Sequence, residues 1–111
     1  NHKNKKIKYL YKNFSRDYLH IDDFISCIQK IIHKKINEFK IFELGSGKTY
    51  SNLKILNLFK KNGIDLKKLN LIENKSFPVT TKANIIKIQS FLNWSPKINL
   101  EDSIKIFIKN L

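Results

Sequence analysis

Apolar residues along this chain come in short blocks whose spacing changes from one block to the next, and the changes mark out elements. Residues 7–11 (IKYLY) and 18–21 (YLHI) read as short extended segments around a turn at Asn13–Ser15. Phe24, Ile28, Ile31 and Ile32, with Ile25 beside them, form the apolar stripe of a helix that Asp22 or Asp23 can cap and Lys34 and Lys35 close. Phe39–Leu44 (FKIFEL) is β-prone and ends at Gly45-Ser46-Gly47. A second helix is expected from about Ser51 to Asn62, with Leu53, Leu56 and Phe59 as its inner row, Ile55 adjoining, and Gly63 as the C′ residue. Leu69–Ile72 reads as a strand, and a short third helix covers residues 84–92 with Ile85, Ile88 and Leu92 on one side. The last helix starts from Asn99 and Asp102, spaced as in a capping box, and carries Leu100, Ile104, Phe107, Ile108 and Leu111. Strands alternating with helices indicate an α/β or α+β arrangement. No repeat, Pro-rich linker or low-complexity block divides it.

Composition narrows the class. The 111 residues, 41% of them hydrophobic, allow one small domain or a piece of a larger one, and contain too much Ile, Leu and Phe for a disordered basic tail. No apolar run is long enough to cross a membrane as a helix, and the start, NHKNKKIKYLYK, has no apolar signal core. The single cysteine, Cys27, cannot form an internal disulfide, which fits a reducing, cytoplasmic setting. The first residue is Asn1, not methionine, which reads as a processed or partial polypeptide.

The net charge of +13 would attract any polyanion. Yet Arg16 is the only arginine, and the Lys, Asn and Ile bias is what A/T-rich codons produce in almost any protein. Dedicated nucleic-acid binders favour Arg forks and interleaved aromatics. Nucleic acid is therefore expected to bind only non-specifically; a lysine-rich nucleic-acid-binding module is the alternative reading, and a remnant serving only as a partner surface a third.

Several motifs fail on spacing. Gly45-Ser46-Gly47-Lys48-Thr49 looks like the end of a P-loop, but the glycine required five positions before Gly47 is Phe42. Gly45 and Gly47 fail as a dinucleotide fingerprint because the third glycine would fall at Tyr50. What is left is a tight strand-to-helix turn, whose amides and Lys48 could meet an anion at the following helix start. Tyr50 and Lys54 match Y-x-x-x-K, but if Ser51 caps the helix, Tyr50 lies outside it and the pair is coincidence. His2, His20 and His33 lack metal-ligand spacing, and Cys27, among isoleucines, reads as a buried thiol.

Three stretches carry a family resemblance. Arg16–Asp23 (RDYLHIDD) resembles the R-D-F/Y-I/V-H/Y-V-D-D stretch of extended short-chain dehydrogenases/reductases, the NAD-dependent nucleotide-sugar epimerases and dehydratases. FELGSGKTYS resembles that family's Y-N-I/L-G-S/T-G-x-x-x-S, and residues 83–101 resemble its A-D-I/T-S-K-A-x-x-x-L-G-W-x-P-x-x-x-L-E ending. The resemblance implies an α/β fold. It makes residues 1–111 a single carboxy-terminal, substrate-binding fragment, with most of the Rossmann domain and its catalytic residues absent. It further implies a nucleotide-diphosphate sugar as substrate, NAD or NADP bound by the missing amino-terminal part, and a homodimer as a possibility for the full-length enzyme. Alone, the chain is expected to be inactive.

By that resemblance Arg16 matches the arginine that reaches the nucleotide's diphosphate, and Tyr18 matches a position bordering the nucleotide. Three departures stand out. The family's second arginine, in R-x-G-D, is missing from Glu73-Asn74-Lys75-Ser76-Phe77, where Lys75 can replace the charge but not the fork. Asn84 stands for the usual Asp, and Asn93 for the glycine before Trp94.

Overall fold

A computed structural model describes residues 9–66, 69–73 and 79–111 of the chain. Among the described residues, four helices alternate with short strands: β1 (Tyr9–Tyr11), β2 (Ser15–Arg16), α1 (Ile21–His33), β3 (Tyr50–Ser51), α2 (Asn52–Lys61), β4 (Asn70–Ile72), α3 (Ile86–Leu92) and α4 (Leu100–Lys109). The arrangement is the expected α/β one. β1 runs parallel to β4, with Leu10 opposite Leu71, while β2 and β3 pair antiparallel, Arg16 facing Tyr50. Ser15 also bridges Thr80 in parallel, so β2 lies between two backbone neighbours.

The caps explain where the helices sit. Ser51 caps α2 by accepting the Lys54 amide, which leaves Tyr50 in β3, outside the helix. Gly63, at φ +94°, ends α2: its N–H donates to the Lys60 carbonyl and that of Ile64 to Phe59, the pairing of a Schellman motif. Asn99 accepts the Asp102 amide at 2.8 Å and starts α4. Asn93 holds the left-handed C-cap of α3 at φ 49°. A glycine would sit there at no steric cost, and asparagine tolerates the conformation better than other side chains do. Asn84, the other departure, still offers an oxygen, which accepts the Ile86 amide at the start of α3.

The buried residues form two clusters. Cys27, Ile85, Ile88, Leu92 and Trp94 gather between α1 and α3, and Leu58, Leu100 and Ile104 between α2 and α4. An ion pair from Lys61 to Glu101 at 3.0 Å ties α2 to α4 at the surface.

Five expectations are corrected. Helix α1 is capped by His20, whose Nδ1 accepts the Asp22 amide at 3.0 Å, because Asp23 is turned inward and Asp22 lies in the first turn. Its inward face is Asp23 and Cys27, with Ile31 packed beside them, whereas Phe24, Ile25 and Ile32 are exposed. Residues 39–44 join no sheet among the described residues: Phe42 and Leu44 reach the core, Phe39 is 88% exposed, and an extended segment without a neighbour has no ladder to form. The pairing near the first turn falls at Ser15–Arg16 and not at residues 18–21, and in α2 the inner row is Ile55, Leu58 and Phe59, with Leu53 exposed. Ile7 and Lys8 of the first extended segment lie outside the described residues.

Candidate functional site

Two carboxylates join the three stretches singled out in the sequence. Asp17 leaves β2 and meets the turn at residues 45–47. Its Oδ1 accepts from the Ser46 amide at 2.7 Å and the Ser46 hydroxyl at 2.6 Å. Its Oδ2 accepts from the Gly47 amide at 2.9 Å and the Ala83 amide at 3.1 Å. Burial by itself raises the Asp17 carboxyl, but the Ser46 hydroxyl and the amides of Ser46, Ala83 and Gly47 outweigh it and hold it below the ordinary value.

The turn glycines have a steric reason. A Cβ on Gly45 would stand 2.6 Å from the Ala83 Cβ and 2.7 Å from Asp17 Oδ2, and Gly47 adopts φ +77°. Residues 45–47 therefore form an anion-binding turn that holds the protein's own anion. That overturns the expectation that these amides meet an external phosphate. The start of α2 is closed too: the Asn52 amide donates to the Phe14 carbonyl at 2.8 Å and the Leu53 amide to Lys12 at 3.4 Å. Of that anion site, the Lys48 side chain is left, on an exposed residue.

Asp23 does the same further on. It is 4% exposed, and its two oxygens accept the Lys97 and Ile98 amides, each at 3.0 Å. The neighbouring Trp94 indole donates to the Ser26 hydroxyl at 2.9 Å. The first stretch is thus fastened to the second and third by Asp17, and again to the third by Asp23. Sequence reasoning passes over Asp17 and reads Asp23 only as a possible helix cap, although both stand in RDYLHIDD; the signal lay in acidic residues placed where the chain must bring distant segments together.

Arg16 lies at the edge of this joint. Its backbone is fixed between β3 and residues 79–81, since Ser15 receives the Thr81 amide at 3.1 Å and donates to Val79 at 2.8 Å. Its guanidinium donates to the Ser15 carbonyl at a long 3.2 Å and lies 5.8 Å from the centre of the Phe14 ring. A guanidinium carries five N–H donors, so among the described residues this engagement is light. Lys48 stands in the loop between the Asp17-bound turn and Tyr50, the residue paired with Arg16, so both cations belong to one unit. Tyr18 goes elsewhere: with Phe59, Ile104 and Phe107 it lines an apolar groove of about 560 Å³ against α4. Lys75 lies outside the described residues. Tyr50 packs against the second cluster, not in a helical pair with Lys54. Cys27 is fully buried, and burial pushes its thiol up.

Among the described residues, the turn at 45–47 does not fit the pyrophosphate of a nicotinamide dinucleotide. That group needs free amides at a glycine turn, and here those of Ser46 and Gly47 are taken by Asp17.

A fold of short strands and four helices, held together at these joints, is that of part of an extended short-chain dehydrogenase/reductase. No family model matches the sequence. The likeness comes from individual proteins. The chain is 36% identical over 93 residues to the UDP-glucose 4-epimerase of Lactobacillus helveticus, covering 80% of this chain and 28% of that one. It is 30% identical over 100 residues to an uncharacterized protein of Methanocaldococcus jannaschii, covering 89% of this chain and 30% of that one. Among solved structures, MoeE5 in complex with UDP-glucose and NAD matches with a TM-score of 0.78 at 15% identity, over 91% of this chain and 35% of that one. UDP-glucose 4-epimerase from Bifidobacterium longum in complex with NAD+ and UDP matches at 0.75 and 20% identity, over 96% and 36%. UDP-glucuronic acid 4-epimerase from Bacillus cereus, in complex with UDP-glucuronic acid and NAD, matches at 0.74 and 24%, over 92% and 35%. The chain is similar to part of the NAD-dependent UDP-sugar epimerases, and spans under a third of the length of the curated relatives it matches.

Proposed function

We propose that this chain is the carboxy-terminal, substrate-binding portion of a cytoplasmic NAD(P)-dependent nucleotide-sugar epimerase or dehydratase, forming one unit without an internal boundary. The observation that carries the reading is Arg16: an arginine alone in a lysine-rich sequence, rigidly mounted between two backbone neighbours, with a lightly engaged guanidinium. A planar fork matches the oxygens of a diphosphate in a way an ammonium does not. Lys48, on the same unit, adds a second positive charge, and Lys75 a third from the segment after β4. Tyr18, which lines the apolar groove against α4, stands outside this set of cations. The nicotinamide belongs to a preceding part of the polypeptide, where it supplies hydride transfer at a sugar carbon; residues 1–111 contribute binding and orientation of the nucleotide and none of the catalytic groups. UDP-sugars in the structures of MoeE5 and of the Bacillus cereus epimerase support a nucleotide-diphosphate sugar as the partner.

The reading frame upstream of Asn1 tests this. A G-x-x-G-x-x-G turn followed by an in-frame Y-x-x-x-K is the expected result. An upstream frame without either would contradict the assignment.

A further inference from the structure

We propose that Asp17 and Ser46 together position Lys48, setting where its ammonium stands relative to Arg16, so that the two cations meet a nucleoside diphosphate as one clamp. This rests on the nucleotide-binding role proposed above for Arg16 and Lys48.

The Ser46 hydroxyl has one proton, and the 2.6 Å contact to Asp17 Oδ1 claims it. The same oxygen is then left to accept the Lys48 amide, at 3.2 Å. A relay therefore runs from Asp17 through Ser46 to the Lys48 backbone. The far end of the loop is fixed independently, since Tyr50 pairs with Arg16. Residues 46–50 thus form a short loop whose two ends are fastened to the adjacent residues Arg16 and Asp17. Holding a long, flexible lysine stem at its root reduces the conformational freedom lost when the ammonium engages a ligand. Both Asp17 oxygens face donors of the protein's own loops, whose dipoles offset part of the carboxylate's charge.

The test is a double-mutant cycle on affinity for uridine diphosphate, measured by calorimetry in the complete polypeptide containing this chain. Ser46→Ala removes the relay hydroxyl but keeps the three amide bonds to Asp17, so the fold is retained and a melting curve checks it. Ser46→Ala should weaken binding by about 2- to 10-fold, the range one neutral hydrogen bond spans. In a Lys48→Ala background the same change should weaken it no further. Unchanged affinity in Ser46→Ala, or an equal loss in both backgrounds, overturns the positioning role while leaving Lys48 as a ligand. Unchanged affinity in Lys48→Ala overturns the clamp and the Lys48 role proposed above together.

Discussion

At the scale of single residues, Asp17 illustrates how a charge can serve the fold. Its carboxyl is held below the ordinary value in the folded chain, so the unfolded chain binds its proton more readily. The stability this contributes is present above the unfolded value, about 3.9, and is lost as pH falls through the lower folded one. Asp17→Asn sets an amide nitrogen against at least one pair of donors, and should cost about 2–3 kcal/mol at neutral pH. Chemical denaturation across pH 2–7 should show the gap to wild type closing at the acid end; a gap that widened there would contradict the account. Asn93 gives a second case. Held left-handed at φ 49°, it should lose about 1 kcal/mol as Asn93→Ala and nothing as Asn93→Gly. Thermal melts of the two variants check the difference.

Helices and strands show which patterns sequence reading captures. Local signals were legible: the Ser51 and Asn99 caps, the Gly63 stop and the α3 face all stand where spacing and turn chemistry put them. Their causes lie within a few residues of each other. What was not legible depended on distant partners. Periodicity marks an apolar face but does not say which neighbour it meets, and in α1 the inward face is led by an aspartate whose partners are the Lys97 and Ile98 amides, over seventy positions away. Likewise FKIFEL has a strand's composition, yet a strand forms only beside another. In this chain Asp23→Ala should cost about 2–4 kcal/mol by leaving two amides unpaired, while Ile32→Ala, at a 72% exposed position, should stay within about 0.5 kcal/mol. Equal losses in denaturant titrations would mean that the helix presents the other face.

For the molecule as a whole, part of the lysine excess packs on the aromatic surface. Lys34 and Lys40 lie 4.2 and 5.0 Å from the Phe91 ring centre, and Lys87 lies 5.4 Å from that of Phe42. Their ammonium groups lie over the rings as cation–π contacts and also meet oxygens of the protein: Lys34 the Phe91 carbonyl, Lys40 the Glu38 carboxylate and Lys87 the Ile41 carbonyl. Binding to RNA or DNA should accordingly be indifferent to sequence and fall steeply with salt, as counterion release requires; a sequence preference surviving physiological salt would favour a nucleic-acid-binding module instead. Among the described residues, no helix is long and apolar enough to cross a membrane. The candidate site was partly legible. The resemblance pointed to Arg16 because the motif is local, but the spent amides of residues 46–47 became visible only once Asp17 was seen to occupy them.

The central claim, that Arg16 receives the diphosphate of a nucleotide sugar, is tested most directly by titrating UDP-glucose into the complete polypeptide carrying Arg16→Ala or Arg16→Lys. A charge-assisted phosphate contact is worth about 1.5–3 kcal/mol, so Arg16→Ala should bind roughly 10- to 100-fold more weakly. Arg16→Lys should recover only part of that loss, since one ammonium cannot make two parallel hydrogen bonds. Wild-type affinity in both variants would contradict the account.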